Sequence, residues 1–188
     1  MTAAQHKFVN RGGLDIITKF ATVSTLSDRQ IRAVISDGSI DRVGDIMEPS
    51  GCDLSGYNGK NSVILFNHNA DAPVANGHVS VKGNQLAATI TFPPEGTSAT
   101  SDEVFKLVKS GVISACSIGF QPDQWELVEP HNRMGSGVRY TKWTLLEVSL
   151  VSVPCNANAL VTEKSFKGST SMTYAAPRCA YLIPSNKP

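Results

Sequence analysis

The sequence lacks the long apolar runs that would place it in a membrane. No stretch of about 18 apolar residues occurs, and residues 1–13 have no apolar segment typical of a signal peptide. Charge of one sign is also lacking, since 17 Lys and Arg against 16 Asp and Glu leave a net charge of +1. Because no basic field is offered, we expect neither nucleic acid nor a membrane as a partner. We expect a soluble intracellular protein.

The sequence also has little cysteine. Its four cysteines, Cys52, Cys116, Cys155 and Cys179, are scattered without a C-x-x-C pair. This spacing argues against a structural zinc site and predicts reduced, mostly buried thiols.

What the chain does have is apolar material in short segments. It is 41% hydrophobic and 18% charged, which predicts one folded domain. Segments rich in β-branched and aromatic residues are 31–36, 62–66, 78–81, 85–92, 111–120, 124–128, 138–143 and 145–153. Eight short strands with few helices predict a barrel or a sandwich. A three-residue loop, 82–84, is expected to join the third and fourth strands.

Two helices are predicted. Thr100 and Glu103 have the spacing of a capping box, and Gly111 is suited to end the helix that they begin. A second helix is expected after Pro154, with Asn156 as its N-cap.

The expected organisation is an N-terminal segment over 1–30, a main domain over 31–161 and a weakly ordered tail over 162–188. The tail is predicted because the composition shifts to Ser, Lys, Thr and Pro from Thr162 onward.

Ser117 interrupts the apolar strand SACSIGF at 114–120. Alternate strand residues share a face, so Ser117 is expected to lie with Ala115 and Gly119. This small, open face leaves room for a nucleophilic hydroxyl, a substrate carbonyl and a base. The alternative is a serine that is packed against a neighbouring carbonyl.

His68 directly follows the strand at 62–66 and stands between Asn67 and Asn69. An imidazole at such a strand end can act as a general base. It can equally be a histidine of a surface turn, and a metal site with Asp71 and His78 is a third interpretation that matches no usual ligand spacing.

Glu147 stands between Leu146 and Val148 in a β-like segment. A carboxylate there must either face solvent or be paired inside the protein. If paired inside, it could orient a histidine, as in a catalytic triad.

Four blocks of the sequence closely resemble the prohead serine proteases of tailed bacteriophages, which are distantly similar to the herpesvirus assemblins. The blocks are DRVGDIMEPSGCDLSGY (41–57), NSVILFNHN (61–69), GVISACSIGF (111–120) and LLEVSLVSVPCNANAL (145–160). The resemblance spans roughly residues 31–161. It implies a mainly β fold with flanking helices (α+β), a herpesvirus-protease-like β-barrel.

The resemblance also implies roles for single residues. Ser117 matches the family's nucleophile, His68 its general base, and Glu147 the acidic residue that orients the histidine. The implied chemistry is peptide-bond hydrolysis through an acyl-enzyme on Ser117, with no metal and no organic cofactor. The implied substrates are the major capsid protein and its scaffolding segment, and the chain itself. The implied location is the host cytoplasm, inside the assembling prohead, and the likeness to assemblins favours a homodimer.

Three alternatives stay open. Assemblins have a second histidine where this chain has Glu147, so His78 or His131 is the alternative third member. Assemblins also use an arginine pair near the oxyanion, whereas VSVPCNANAL has no arginine, so the donors would be backbone N–H groups or an arginine such as Arg139. The alternative to an enzyme is a non-enzymatic β-barrel capsid or scaffold component.

Overall fold

Strands dominate the protein, as predicted. The structure, a computed structural model, describes residues 28–128, 137–165 and 172–173. The strands are β1 Gln30–Asp37, β2 Ile46–Met47, β3 Cys52–Asp53, β4 Val63–Phe66, β5 Asn69–Lys82, β6 Gln85–Thr91, β7 Ala115–Leu127, β8 Val138–Val151, β9 Val161–Ser165 and β10 Met172–Thr173. The helices are α1 Ser55–Lys60 and α2 Ala99–Ser110, with a 3-10 turn at Pro49–Gly51. The expectation of a mainly β fold with few helices is confirmed.

All the described strands belong to one sheet, in the order β10-β9-β1-β6-β5-β4-β8-β2, with β3 and β7 also paired to β8. The strand pairings within 28–128, 137–165 and 172–173 do not return to their starting point, so the expected barrel closure is not confirmed. An isolated bridge, Ala115 to Leu160, links the first residue of β7 to the chain just before β9.

Strand β8 is the centre of this arrangement. It pairs in parallel with β2, β3 and β4, and antiparallel with β7 along almost its whole length. The four strands that the sequence suggested between residues 111 and 153 are therefore two long ones. Bulges keep the chain extended where the sequence suggested a break between strands, one of them between Pro122 and Gln124.

The core lies between the sheet and α2. Val104 and Val108 of the helix are buried with Val79 and Ile90 of the sheet. The Ser101 hydroxyl donates to the Val74 carbonyl at 2.6 Å and fixes the helix on β5. Burial of such side chains contributes roughly 1.5–3 kcal/mol each, so this cluster stabilises the packing of α2 on the sheet.

The helix predictions are partly wrong. The N-cap of α2 is Ser98, which accepts from the Ser101 N–H at 3.3 Å, and not Thr100. Gly111 ends the helix with φ 84°, as predicted. No helix follows Pro154, because the Asn156 side chain caps a local turn by accepting from the Asn158 N–H at 2.8 Å.

Three further expectations differ from the structure. The 82–84 loop is a two-residue turn, Gly83 and Asn84, with Lys82 paired to Gln85. The expected tail boundary at Thr162 falls inside β9, which pairs with β1, while most of 162–188 lies outside the described residues. The cysteines are not uniformly buried.

Cys116, Cys52 and Cys155 are respectively buried, partly buried and exposed, and all three are free thiols. Cys179 lies outside the described part of the chain.

Candidate active site

Three neighbouring strands carry the candidate residues. Leu65 of β4 pairs with Ser149 of β8, and Ser149 pairs with Ser117 of β7. Paired residues of adjacent strands point to the same face of a sheet, so Ser117 and Ser149 share a face. Cys116 and Val148, one position away, are fully buried in the core on the other face. The predicted alternation around Ser117 is therefore confirmed.

A tight turn at the end of β4 delivers His68 to this face. Asn67 and His68 have φ of 51° and 59°, the left-handed region that non-glycine residues rarely adopt. The turn is held because the Asn67 N–H donates to the Leu150 carbonyl at 3.0 Å and the Asn67 Oδ1 accepts from the Ser152 N–H at 3.1 Å. Two strained residues in a row cost roughly 1–3 kcal/mol each, a feature that clusters at functional sites.

The imidazole of His68 contacts the carboxylate of Glu147. The distance from His68 Nδ1 to Glu147 Oε1 is 2.7 Å, and the side chains are 46% and 17% exposed. The histidine is thus open to a ligand while the carboxylate is largely shielded. Of the two interpretations of Glu147, the paired one is confirmed.

Ser149 fixes both partners and was missed in the sequence. Its hydroxyl donates to Glu147 Oε2 at 2.7 Å and accepts from the His68 N–H at 3.1 Å. The side chain is completely buried. The available signal was the spacing of Glu147 and Ser149 by two residues, which puts both on one strand face.

Gly119 makes room for the carboxylate. It pairs with Glu147, and a Cβ at this position would lie 2.6 Å from Glu147 Oε1 and 2.9 Å from its Cγ. Any side chain larger than hydrogen would displace the carboxylate that contacts His68. The glycine is thus required by close approach, since its own φ is not positive.

Two residues that were alternatives for the site, Arg139 and His78, lie far from the face that bears Ser117. Arg139 pairs with Glu48 and Glu126 and stands ten residues before Ser149 on β8, about 30 Å along the strand. His78 lies on β5 beyond the pairing of Asn76 with Val63, at the opposite end of β4 from His68. Neither is brought to the Ser117 face, and His131 lies outside the described residues.

An arginine does contact the segment after β8, though not the one that was expected. The Arg42 guanidinium donates to the Pro154 carbonyl, and the Arg42 N–H donates to the Cys155 carbonyl at 3.2 Å. This arginine comes from the loop after β1, so sequence position gave no sign of it.

The same two loops are joined by a buried carboxylate. Asp37 accepts from Asn156 Nδ2 and from Asn158 Nδ2, both at 2.9 Å, and from the Ser39 hydroxyl. Burial acts to raise the pKa of Asp37, but these hydrogen bonds outweigh it and hold the pKa below its ordinary value. The segment beside Ser117 is therefore held rigidly against the end of β1.

Neither a metal-binding cluster nor a membrane-spanning helix occurs among the described residues. Within 28–128, 137–165 and 172–173, no group of three or more His, Cys, Asp or Glu side chains could hold a metal ion, so His68, Asp71 and His78 do not form one. In the same ranges, no helix has the length and apolar character that a membrane crossing demands.

The sequence is similar to one protein family and to two phage proteins. The family model described as caudovirus prohead serine protease matches residues 18–172. The chain is 32% identical over 150 residues to the capsid polyprotein of Pseudomonas phage PAJU2, covering 74% of this chain and 21% of that protein. It is 30% identical over 135 residues to the prohead protease of Escherichia phage T5, covering 69% of this chain and 60% of that protein.

The chain thus spans less than two thirds of the length of either relative. No solved structure matches it.

Proposed function

The chain belongs to the caudovirus prohead serine protease family, and on that premise we propose that it is an endopeptidase of prohead maturation. In this proposal Ser117 is the nucleophile, His68 the general base and Glu147 the group that orients and stabilises the base. The observation that carries it is the 2.7 Å contact between His68 Nδ1 and Glu147 Oε1, on the sheet face that also bears Ser117.

The contact sets the tautomer that the reaction needs. A carboxylate accepts hydrogen bonds, so the neutral imidazole carries its proton on Nδ1 and presents the lone pair of Nε2. Nε2 is then the atom that takes the hydroxyl proton of Ser117. Glu147 stabilises the imidazolium that forms.

The reaction proceeds in two halves. Ser117 Oγ forms a bond to the scissile carbonyl carbon while its proton moves to His68 Nε2. The C–N bond then breaks, and the imidazolium gives its proton to the leaving amine. A water molecule that His68 deprotonates attacks the acyl-enzyme, and the proton returns to Ser117 Oγ.

The substrates follow from the family context. We propose that the chain cleaves the major capsid protein and its scaffolding segment, and itself, inside the assembling prohead in the host cytoplasm, and that it acts as a homodimer. A relative named capsid polyprotein, similar to this chain over a fifth of its own length, supports a capsid context.

A barrel of the herpesvirus-protease type is part of the same proposal. The Cys116 N–H donates to the Ala159 carbonyl at 2.8 Å, and the Val161 N–H donates to the Ser114 carbonyl at 2.9 Å. These bonds bring the start of β7 to the start of β9, as closure would require.

The test is co-expression with the cognate major capsid protein, followed by sequencing of the new termini. We expect discrete cleavage with this chain and none with Ser117→Ala. If the capsid protein stays intact with both, or if Ser117→Ala cleaves equally, the protease proposal is wrong. Assembly of uncleaved shells that retain the chain would favour a non-enzymatic capsid or scaffold component.

A further inference from the structure

A cavity of about 260 Å³ opens beside Ser117. One wall is the stretch of β7 that begins at Ser117. The other is formed by the end of β1, by alternate residues from Ser39 to Met47, and by Cys155 and Asn156. Residues 114–116, at the start of β7, form backbone hydrogen bonds with residues 159–161. The cavity lies just beyond these bonds, where β7 continues from Ser117.

The cavity wall combines apolar side chains with serine and asparagine side chains and two carboxylates. Val43, Met47 and Ile118 supply apolar surface, and Asp41 and Asp45 supply negative charge. No cation among the described residues forms an ion pair with either aspartate. The neighbouring Arg42 does not line the cavity, because its guanidinium is turned to the Pro154 carbonyl.

Besides burial, the negative charge of Asp41 and Asp45 raises the pKa of two neighbouring side chains, Cys155 and Tyr140. Burial first, and then the nearby Asp41 and Asp45, raise the pKa of the Cys155 thiol to about 11. Burial and the same two carboxylates raise the pKa of Tyr140. Both shifts have the sign that a negative potential produces in acids that ionise to anions.

Asp41 also has acceptor capacity left. Asp41 Oδ1 accepts from the Val43 and Asp45 N–H groups at 2.9 Å each, and Oδ2 accepts from the Cys155 thiol at 3.1 Å. A carboxylate has about four acceptor sites, so one remains. The loop bonds hold the carboxylate in place and do not neutralise its charge.

We propose that this cavity receives a lysine or arginine side chain of the substrate, carried by the residue whose carbonyl Ser117 attacks. The inference rests on the proposed function and adds the substrate class. A peptide whose carbonyl reaches Ser117 places the adjoining side chain close to β7, and Ser117 lines this cavity together with Ile118 and Phe120 of the opposite strand face. The aliphatic stem lies on Val43 and Ile118, and the cationic end lies near Asp41 and Asp45.

The chemistry of the cavity favours a long cation over the other side chains. A short or purely apolar side chain would leave two carboxylates without a counter-charge, and an acidic one would add repulsion. A charged hydrogen bond in a partly desolvated site is worth enough to change reactivity about tenfold or more.

The test uses peptidyl diphenyl phosphonates that differ in one side chain. The lysine analogue has a 4-aminobutyl group and the norleucine analogue a butyl group. Ser117 Oγ forms a bond to phosphorus, the P–O bond to one phenoxide breaks, and phenol leaves with the hydroxyl proton. Intact-mass measurements give the labelling rate constants. We expect the lysine analogue to react about tenfold or more faster.

The aspartates are tested by Asp41→Asn and Asp45→Asn, which keep an oxygen acceptor for the backbone N–H groups that donate to them. In each, we expect the lysine-to-norleucine rate ratio to fall several-fold. The matched control is Glu103→Gln, which removes one negative charge from the exposed face of α2 and should keep the wild-type ratio. If Asp41→Asn does not fold, Asp45→Asn and the decrease of the wild-type ratio with added salt decide the question.

The outcomes separate the two proposals. The inference is wrong if the wild-type lysine-to-norleucine rate ratio is near one, or if neither aspartate variant changes it. As long as Ser117 is labelled, the protease proposal still stands in that case. If neither these phosphonates nor a fluorophosphonate labels Ser117 of the folded chain, the protease proposal fails and this inference fails with it.

Discussion

The Nδ1 atom of His68 lies 2.7 Å from Oε1 of Glu147, although the two residues are 79 positions apart in the chain. The contact depends on the parallel pairing of β4 with β8, because this pairing places the turn after β4 next to the C-terminal end of β8. The pairing itself places the Glu147 carboxylate on the same face as Ser117 and Ser149. The geometry thus depends on a strand register, and changes to that face have predictable effects.

Gly119→Ala should strongly reduce the proposed protease activity with little loss of stability. The new Cβ would lie 2.6 Å from Glu147 Oε1, so the flexible carboxylate must move away from His68. We expect kcat to fall by about 10²-fold or more, close to the effect of losing an orienting group. Urea denaturation should show a free energy of unfolding within about 1 kcal/mol of wild type.

Gly59→Ala is the control for that substitution. It adds the same methyl group to α1, where no atom lies within 4 Å of the new Cβ. Full activity of Gly119→Ala, with Gly59→Ala also active, would show that the Glu147 position is not needed for turnover.

Ser149→Ala should lower kcat more than it raises KM. The substitution removes the donor to Glu147 Oε2 and the acceptor of the His68 N–H, both inside a buried region. Leaving such groups unpaired costs roughly 1–3 kcal/mol, or about 5- to 150-fold if it is expressed in kcat. Ser152→Ala, an exposed serine three residues later, is the control. Equal kcat for the two variants would contradict a positioning role.

The three candidate residues should not be equally sensitive. His68→Ala removes proton transfer and should approach the loss of Ser117→Ala, typically about 10⁴- to 10⁶-fold, whereas Glu147→Gln should lose less. The double variant Ser117→Ala/His68→Ala should be scarcely slower than either single one, because the residues act as a unit. Multiplied losses in kcat/KM would mean that His68 acts independently of Ser117.

Asn158→Ala should destabilise the protein more at neutral pH than in acid. The Asp37 pKa lies below its ordinary value in the folded state, so its contribution is present above the unfolded pKa of about 3.9 and is lost as pH falls further. Removing the Asn158 donor should cost about 1 kcal/mol at pH 7. Urea titrations at pH 7 and pH 3 check this, with Asn76→Ala, an exposed strand residue, as the control. A larger difference in unfolding free energy between Asn158→Ala and wild type at pH 3 than at pH 7 would contradict this prediction.

Much of the site could be predicted because strand alternation is local. The two-residue period put Ser117 with Gly119 and away from Cys116, and the structure confirms this. The same period places Ser149 on the face of Glu147, but its double contact depends on where the turn after β4 lies. That position is a tertiary property, so no sequence pattern revealed it.

The wrong predictions also depend on contacts between residues that are far apart in the sequence. Asn156 has the residue type of an N-cap, but its side chain bonds to Asp37, 119 positions away, and to its own loop. Arg139 was a reasonable oxyanion donor until the length of β8 placed it about 30 Å from Ser149. Long-range pairing overrides local propensity in both cases.

The most direct measurement of the central claim is the site of labelling by a fluorophosphonate, found by peptide mapping of the intact chain. We expect one adduct, on Ser117, which is absent in Ser117→Ala and forms far more slowly in His68→Ala. An adduct on another serine, or no adduct on folded protein that cleaves its capsid substrate, would contradict it.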